Sequence, residues 1–166
     1  MTYLLDDFKQ AEQARFGTHW MAFSDQVMGG CSDVRLRHDP ETGLQLRGSV
    51  SLQNQGGFIQ AALPLVHSRH LFDARHFEGV HIRCLAPQPG SYFVHLRSKE
   101  LSMPWQHYRA SLPAEAQWQT LQVPFSAFEA RRTNHPLNLA YLTRIAVVAA
   151  GFAGPAELWL SEIGFY

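Results

Sequence analysis

The chain has 166 residues, with Lys plus Arg and Asp plus Glu balanced at 14 each, a hydrophobic share of 46% and a charged share of 17%. That length suits one folded domain with a sizeable core, and a single domain over residues 1–166 is expected. The balance excludes the broad positive field of nucleic-acid-binding or membrane-surface proteins, and the composition is not that of a disordered chain.

The opening "MTYLLDDFKQ" places two acids straight after a short apolar pair. It lacks the basic and apolar regions of a secretory signal. Asp7 to Arg15 and, much later, Pro124 to Ala130 each read as a helical turn or two. From Gly43 onward alternation dominates. "GLQLRGSVSL" puts Leu44, Leu46, Gly48, Val50 and Leu52 on one side of a half-buried antiparallel strand. "GFIQAALP", "GVHIRCLA", "SYFVHLRS", "WQHYRASL", "WQTLQVPF", "LTRIAVVAA" and "AELWLSEIGFY" follow, divided by Pro, Gly, Ser or Asn. Strands at this spacing predict an all-β sandwich or barrel. The longest apolar run, Ile145 to Gly154, is about half of the roughly 20 residues a bilayer span needs, so the chain is expected not to insert into a membrane. Cys31 and Cys84 are the only cysteines and form no CxxC motif, which points to a reducing, cytoplasmic setting.

One pattern recurs. "VHIRC", "VHLRS" and "QHYRA" each carry His-x-Arg: His81 and Arg83, His95 and Arg97, His107 and Arg109. A fourth copy, His67 and Arg69, falls in a loop. Residues two apart share a strand face, and consecutive strands usually pair. The six side chains are therefore expected on one sheet face, with Ile82, Leu96 and Tyr108 turned into the core. A turn near Pro89 would set Arg83 opposite His95, keeping guanidinium groups apart and imidazoles neutral. Such a patch suits an anion, a carboxylate or a polyhydroxylated ligand. Phe93 and Trp105 share its parity as apolar platforms. The alternative is a solvent face whose arginines pair with acids such as Glu78 or Glu157.

Two paired-glycine stretches stand earlier in the chain, "FSDQVMGGCSD" and "GSVSLQNQGGF". Asp25 and Asn54 are placed to accept backbone N–H groups of the turns that follow, Met28 reads as a core plug, and Gly29, Gly30, Gly56 and Gly57 answer to backbone geometry. With Trp20, "YFVHLR", "WQTLQVPFSAF" and the ending "ELWLSEIGFY", these motifs run in an order that resembles the complex I intermediate-associated protein family across nearly the whole chain. The resemblance implies a galactose-binding-like jelly-roll sandwich, akin to many carbohydrate-binding modules. For mitochondrial members it implies an assembly factor rather than an enzyme. The chain departs from the family pattern after "PFSAF", where "EARRTNHP" stands in place of an Arg-Gly pair, and at Cys31.

Other chemistry has thin support. Cys31 lacks a fixed base, His67 and His70 lack a second ligand pair, and no phosphate-cradling glycine motif is present. Asp6, Asp7 and Glu162 lie near the termini, where related jelly rolls hold a structural calcium, the one metal the sequence leaves open. The expectation is a non-catalytic, cofactor-free module binding a protein partner. Its rival is a carbohydrate- or small-anion-binding module using His81, Arg83, His95, Arg97, Trp105, His107 and Arg109.

Overall fold

The computed structural model of the chain describes residues 2–166. In chain order the strands are β1 (Tyr3–Asp6), β2 (Met21–Ser24), β3 (Asp33–Asp39), β4 (Gly43–Val50), β5 (Phe58–Pro64), β6 (Gly79–Leu85), β7 (Tyr92–Ser98), β8 (His107–Ser111), β9 (Gln119–Pro124), β10 (Glu129–Arg131), β11 (Leu142–Ala150) and β12 (Gly154–Phe165). One sheet runs β3-β4-β12-β6-β9, with β1 also on β12; the second runs β10-β8-β7-β11-β5-β2. Every pairing is antiparallel.

Alternation explains the layering. Leu46 and Val50, Ile59 and Leu63, Ile82, Leu96, Tyr108, Ile145 and Val147, and Leu158 all turn between the sheets and are buried. Each such side chain contributes about 1.5–3 kcal/mol on leaving water. The inward parity expected of Ile82, Leu96 and Tyr108 holds. Leu52, expected on the same face as Leu44, lies beyond the end of β4 and is exposed.

The helix expected over Asp7 to Arg15 does not form. Its amides turn instead to Asp6, whose Oδ1 accepts from the N–H groups of Phe8 and Arg15 while Oδ2 accepts from Trp20 Nε1 at 2.8 Å. A side-chain acceptor has displaced the i−4 carbonyl, which makes a loop. Pro124 to Ala130 is helical only at Phe125–Ala127; the chain then extends as β10 against β8.

Candidate binding face

The expected His/Arg patch divides between the sheets. β6 and β7 do not pair, because the chain crosses from one sheet to the other between them. Arg83 therefore lies opposite Thr120 and Glu162, not His95, and its guanidinium stands over Trp118 at 5.5 Å. His81 is buried against Gly164, with Nε2 3.0 Å from Glu162 Oε1. A Cβ at residue 164 would strike the His81 ring, so this glycine makes its place.

The remaining pairs do meet, on the outer face of the second sheet. The register lines up Glu129, Arg109, His95, Ala146, Ala62 and Met21 in one row across β10, β8, β7, β11, β5 and β2. A neighbouring row holds Ser111, Phe93, Val148, Gln60 and Phe23. On the other side lie Arg131 opposite His107, and Arg97 beside Arg144. One end of this face is thus cationic and the other apolar. Ala62, Ala146 and Val148 are fully covered although they point away from the core, with Phe23, Phe58 and Phe93 packed over them. β11 and β5 supplied Arg144, Ala146 and Phe58, which alternation in "LTRIAVVAA" and "GFIQAALP" would have placed on this face had the sheet order been known.

The imidazoles of His95 and His107 stack with centroids 3.9 Å apart. His107 Nδ1 faces the Trp105 carbonyl at 3.1 Å and donates to it, and the Nε2 atoms of both rings are buried without a partner. Burial pushes His107 down to about 4, with Arg109, Arg131 and Arg97 adding to the effect. His95 is also held well below the ordinary range by burial, then by His107, Arg109 and Arg131. Both rings are neutral at pH 7, as nearby guanidinium charge requires.

The arginines play different parts. Arg97 donates to the carbonyls of Leu101, Met103, Pro104 and Gln106, and so clamps the loop leading into β8. Arg131 reaches Glu129 at 3.6 Å. Among the described residues, Arg109 and Arg144 have no hydrogen-bond or ion-pair partner. They lie instead over aromatic rings, Arg109 over Phe93 at 4.2 Å and Arg144 over Phe23 at 5.2 Å. Glu78 and Glu157 do not serve as their counter-ions; Glu157 accepts from Trp159 Nε1 at 2.8 Å. Trp105 lies in the Arg97-clamped loop, outside β8, and is half exposed.

The paired glycines build a clasp beside the apolar end of the face. Asp25 is fully buried, and its carboxylate accepts from Ser32 N and Oγ, Gly57 N and Phe58 N. Burial pushes this carboxyl up, but the bonds from Ser32, Gly57 and Phe58 outweigh it and hold the group below the usual carboxylate range. Each pair divides its work: Gly29 and Gly57 have φ of 85° and 134°, while a Cβ at Gly30 or Gly56 would run into the Asp25 carboxyl. Asn54 is itself left-handed and donates to the Gly29 carbonyl at 3.3 Å rather than accepting from its own turn. Met28 is not a core plug; it is 49% exposed beside Val27, because the tight turn turns both side chains outward.

No three His, Cys, Asp or Glu side chains come together as metal ligands among the described residues. The Asp6 oxygens face N–H donors, and Glu162 faces His81, so these acids do not converge. No helix among the described residues is long and apolar enough to cross a membrane.

The sequence model of one family, described as Complex I intermediate-associated protein 30 (CIA30), matches residues 7–160. No curated protein sequence matches significantly. Among solved structures, the family 11 carbohydrate-binding module of the cellulosomal cellulase Lic26A-Cel5E of Clostridium thermocellum superposes with a TM-score of 0.72 at 16% identity, covering 99% of this chain and 94% of that one. The same family's module has also been solved with a β-1,3-1,4-mixed-linked tetrasaccharide, with a TM-score of 0.70 at 16% identity, covering 99% and 94%. An E78R mutant of a family 29 carbohydrate-binding module gives 0.60 at 9% identity, covering 99% and 90%. At these identities the likeness shows the fold, a jelly-roll β-sandwich.

Proposed function

The chain belongs to the Complex I intermediate-associated protein 30 family, and from that premise we propose that it is a non-catalytic, cofactor-free binding module of the assembly-factor type, a single cytoplasmic domain whose second-sheet outer face recognises a protein partner. The observation that carries this reading is a pair of guanidinium groups, Arg109 and Arg144, held on aromatic rings with no ion-pair contact among the described residues, Arg109 feeling Glu129 opposite it only at longer range. Both side chains are only partly buried and their donors reach solvent, so they stand free to donate to a partner that supplies acceptors. A catalytic reading lacks its second element: neither stacked histidine has a carboxylate orienting it, and their low proton affinity makes them poor bases at pH 7.

Carbohydrate recognition is the second reading, favoured by the exposed Trp105 and by the jelly-roll module solved with a tetrasaccharide. It ranks below the first because the aromatic rings on the face itself, Phe23 and Phe93, lie under guanidinium groups rather than open to a sugar ring.

The test is affinity capture from host lysate with wild-type protein and an Arg109→Gln/Arg144→Gln variant, followed by mass spectrometry. A specific protein set lost in a variant of unchanged melting temperature is the expected result. No specific protein in either sample, with retention on mixed-linkage glucan, overturns it in favour of the carbohydrate reading.

A further inference from the structure

The face concentrates charge that the whole chain does not have. Its cationic end carries Arg97, Arg109, Arg131 and Arg144 against one acid, Glu129, although the protein is neutral overall. Arg97 is satisfied by carbonyls and Arg131 by Glu129, which leaves Arg109 and Arg144 as the two groups with binding capacity.

Their separation is set by the sheet. Arg109 leans over Phe93 on β7, and Arg144 reaches across β5 to Phe23 on β2. Phe93 and Phe23 stand in one row with Val148 and Gln60 between them. Three inter-strand steps of about 4.8 Å put the backbone positions of Phe93 and Phe23 roughly 14 Å apart, and the guanidinium groups lie 4.2 and 5.2 Å from those rings. One carboxylate cannot serve both. An extended peptide advances about 3.3 Å per residue, so two acidic side chains about four residues apart match the span.

What lies between and beside them is apolar apart from Gln60. Phe23, Phe58, Phe93 and Val148 border the cations, and Val27 and Met28 stand exposed on the turn that follows β2. A neutral glycan offers hydroxyl acceptors but no counter-charge, whereas a peptide carries carboxylates and apolar side chains together. The unpartnered, buried Nε2 atoms of His95 and His107 lie on the same face.

We propose that this face takes an extended acidic segment of a partner protein, one carboxylate on Arg109 and a second, about four residues away, on Arg144. The proposal rests on the protein-partner reading and names the chemistry of that partner.

It is tested by fluorescence anisotropy with labelled twelve-residue peptides of Ser, Val and Ala carrying two Glu residues at spacings from one to seven. The expected result is tightest binding at spacings of three to five, at least tenfold above a peptide without Glu. Arg109→Gln and Arg144→Gln should each weaken that peptide about tenfold, and Arg35→Gln/Arg37→Gln, on β3 of the other sheet, should leave it unchanged. Binding indifferent to spacing, or indifferent to Arg109→Gln and Arg144→Gln in variants of wild-type melting temperature, overturns the proposal. Lysate capture that depends on these arginines without any acidic-peptide binding overturns the acidic segment while leaving a protein partner standing. Retention on polygalacturonate or mixed-linkage glucan alone, with no captured protein and no peptide binding, overturns both.

Discussion

At the scale of single residues the Asp25 clasp makes the sharpest claims. Four donors converge on one buried carboxylate, so Asp25→Ala strands amides of two separate loops, and a loss of about 3 kcal/mol or more is expected in urea unfolding. Gly57→Val forces a β-branched residue into a φ of 134° and against Leu52, and should cost well over 1 kcal/mol. Gly29→Ala, with a positive φ but open space around it, should cost only about 1 kcal/mol. Gly29→Ala costing as much as Gly57→Val would mean that φ alone, not space, sets the penalty. The two thiols separate as well. Cys31 is exposed, whereas burial pushes Cys84 up to about 11. A thiol reagent should therefore modify one cysteine rapidly in the native protein and the second only on unfolding. The sequence carried the glycine pairs and the acid that needs them. It could not show that one acid serves both pairs, since Asp25 and Gly57 meet only through the fold.

At the scale of elements, Arg97 changes role. Read as a binding residue from its strand parity, it is a clamp on the loop before β8, and Arg97→Ala should lower the melting temperature by several degrees while Arg144→Gln leaves it nearly unchanged. Arg132, in the stretch where the chain departs from the family pattern, has a φ of 59°, the left-handed conformation a glycine adopts freely. Arg132→Gly should be neutral or stabilise by up to about 1 kcal/mol, measured by thermal melting. Parity within each strand was legible, and Ile82, Leu96 and Tyr108 point inward as alternation requires. Strand β3 was missed although Val34 and Leu36 alternate with Asp33, Arg35 and Arg37, because its charge density masks a strand at the sheet's edge. The sheet to which each His-x-Arg strand belongs was not legible. Nothing local distinguishes the crossing between β6 and β7 from the hairpin between β7 and β8.

At the scale of the whole molecule the histidine stack ties stability to pH. His107 at about 4 and His95, also held well down by burial, sit below the ordinary 6.5, so below that value the unfolded chain binds protons that the folded chain refuses. The contribution is complete above about pH 6.5 and is lost as pH falls toward 4, by on the order of 3 kcal/mol in chemical unfolding. His107→Gln should flatten that slope.

The same clasp has a consequence for self-association. β2 is a four-residue strand at the end of its sheet, bonded only to β5, and the turn that continues from it is held in place through Asp25. If that anchor is lost, β2 can peel away and bare the backbone of β5, a seven-residue strand rich in Ile, Ala and Leu, to any passing chain. Its buried carboxylate is then a guard against strand addition between molecules. Asp25→Asn should form light-scattering oligomers under mild warming well before the second sheet's interior unfolds, while wild type stays monodisperse.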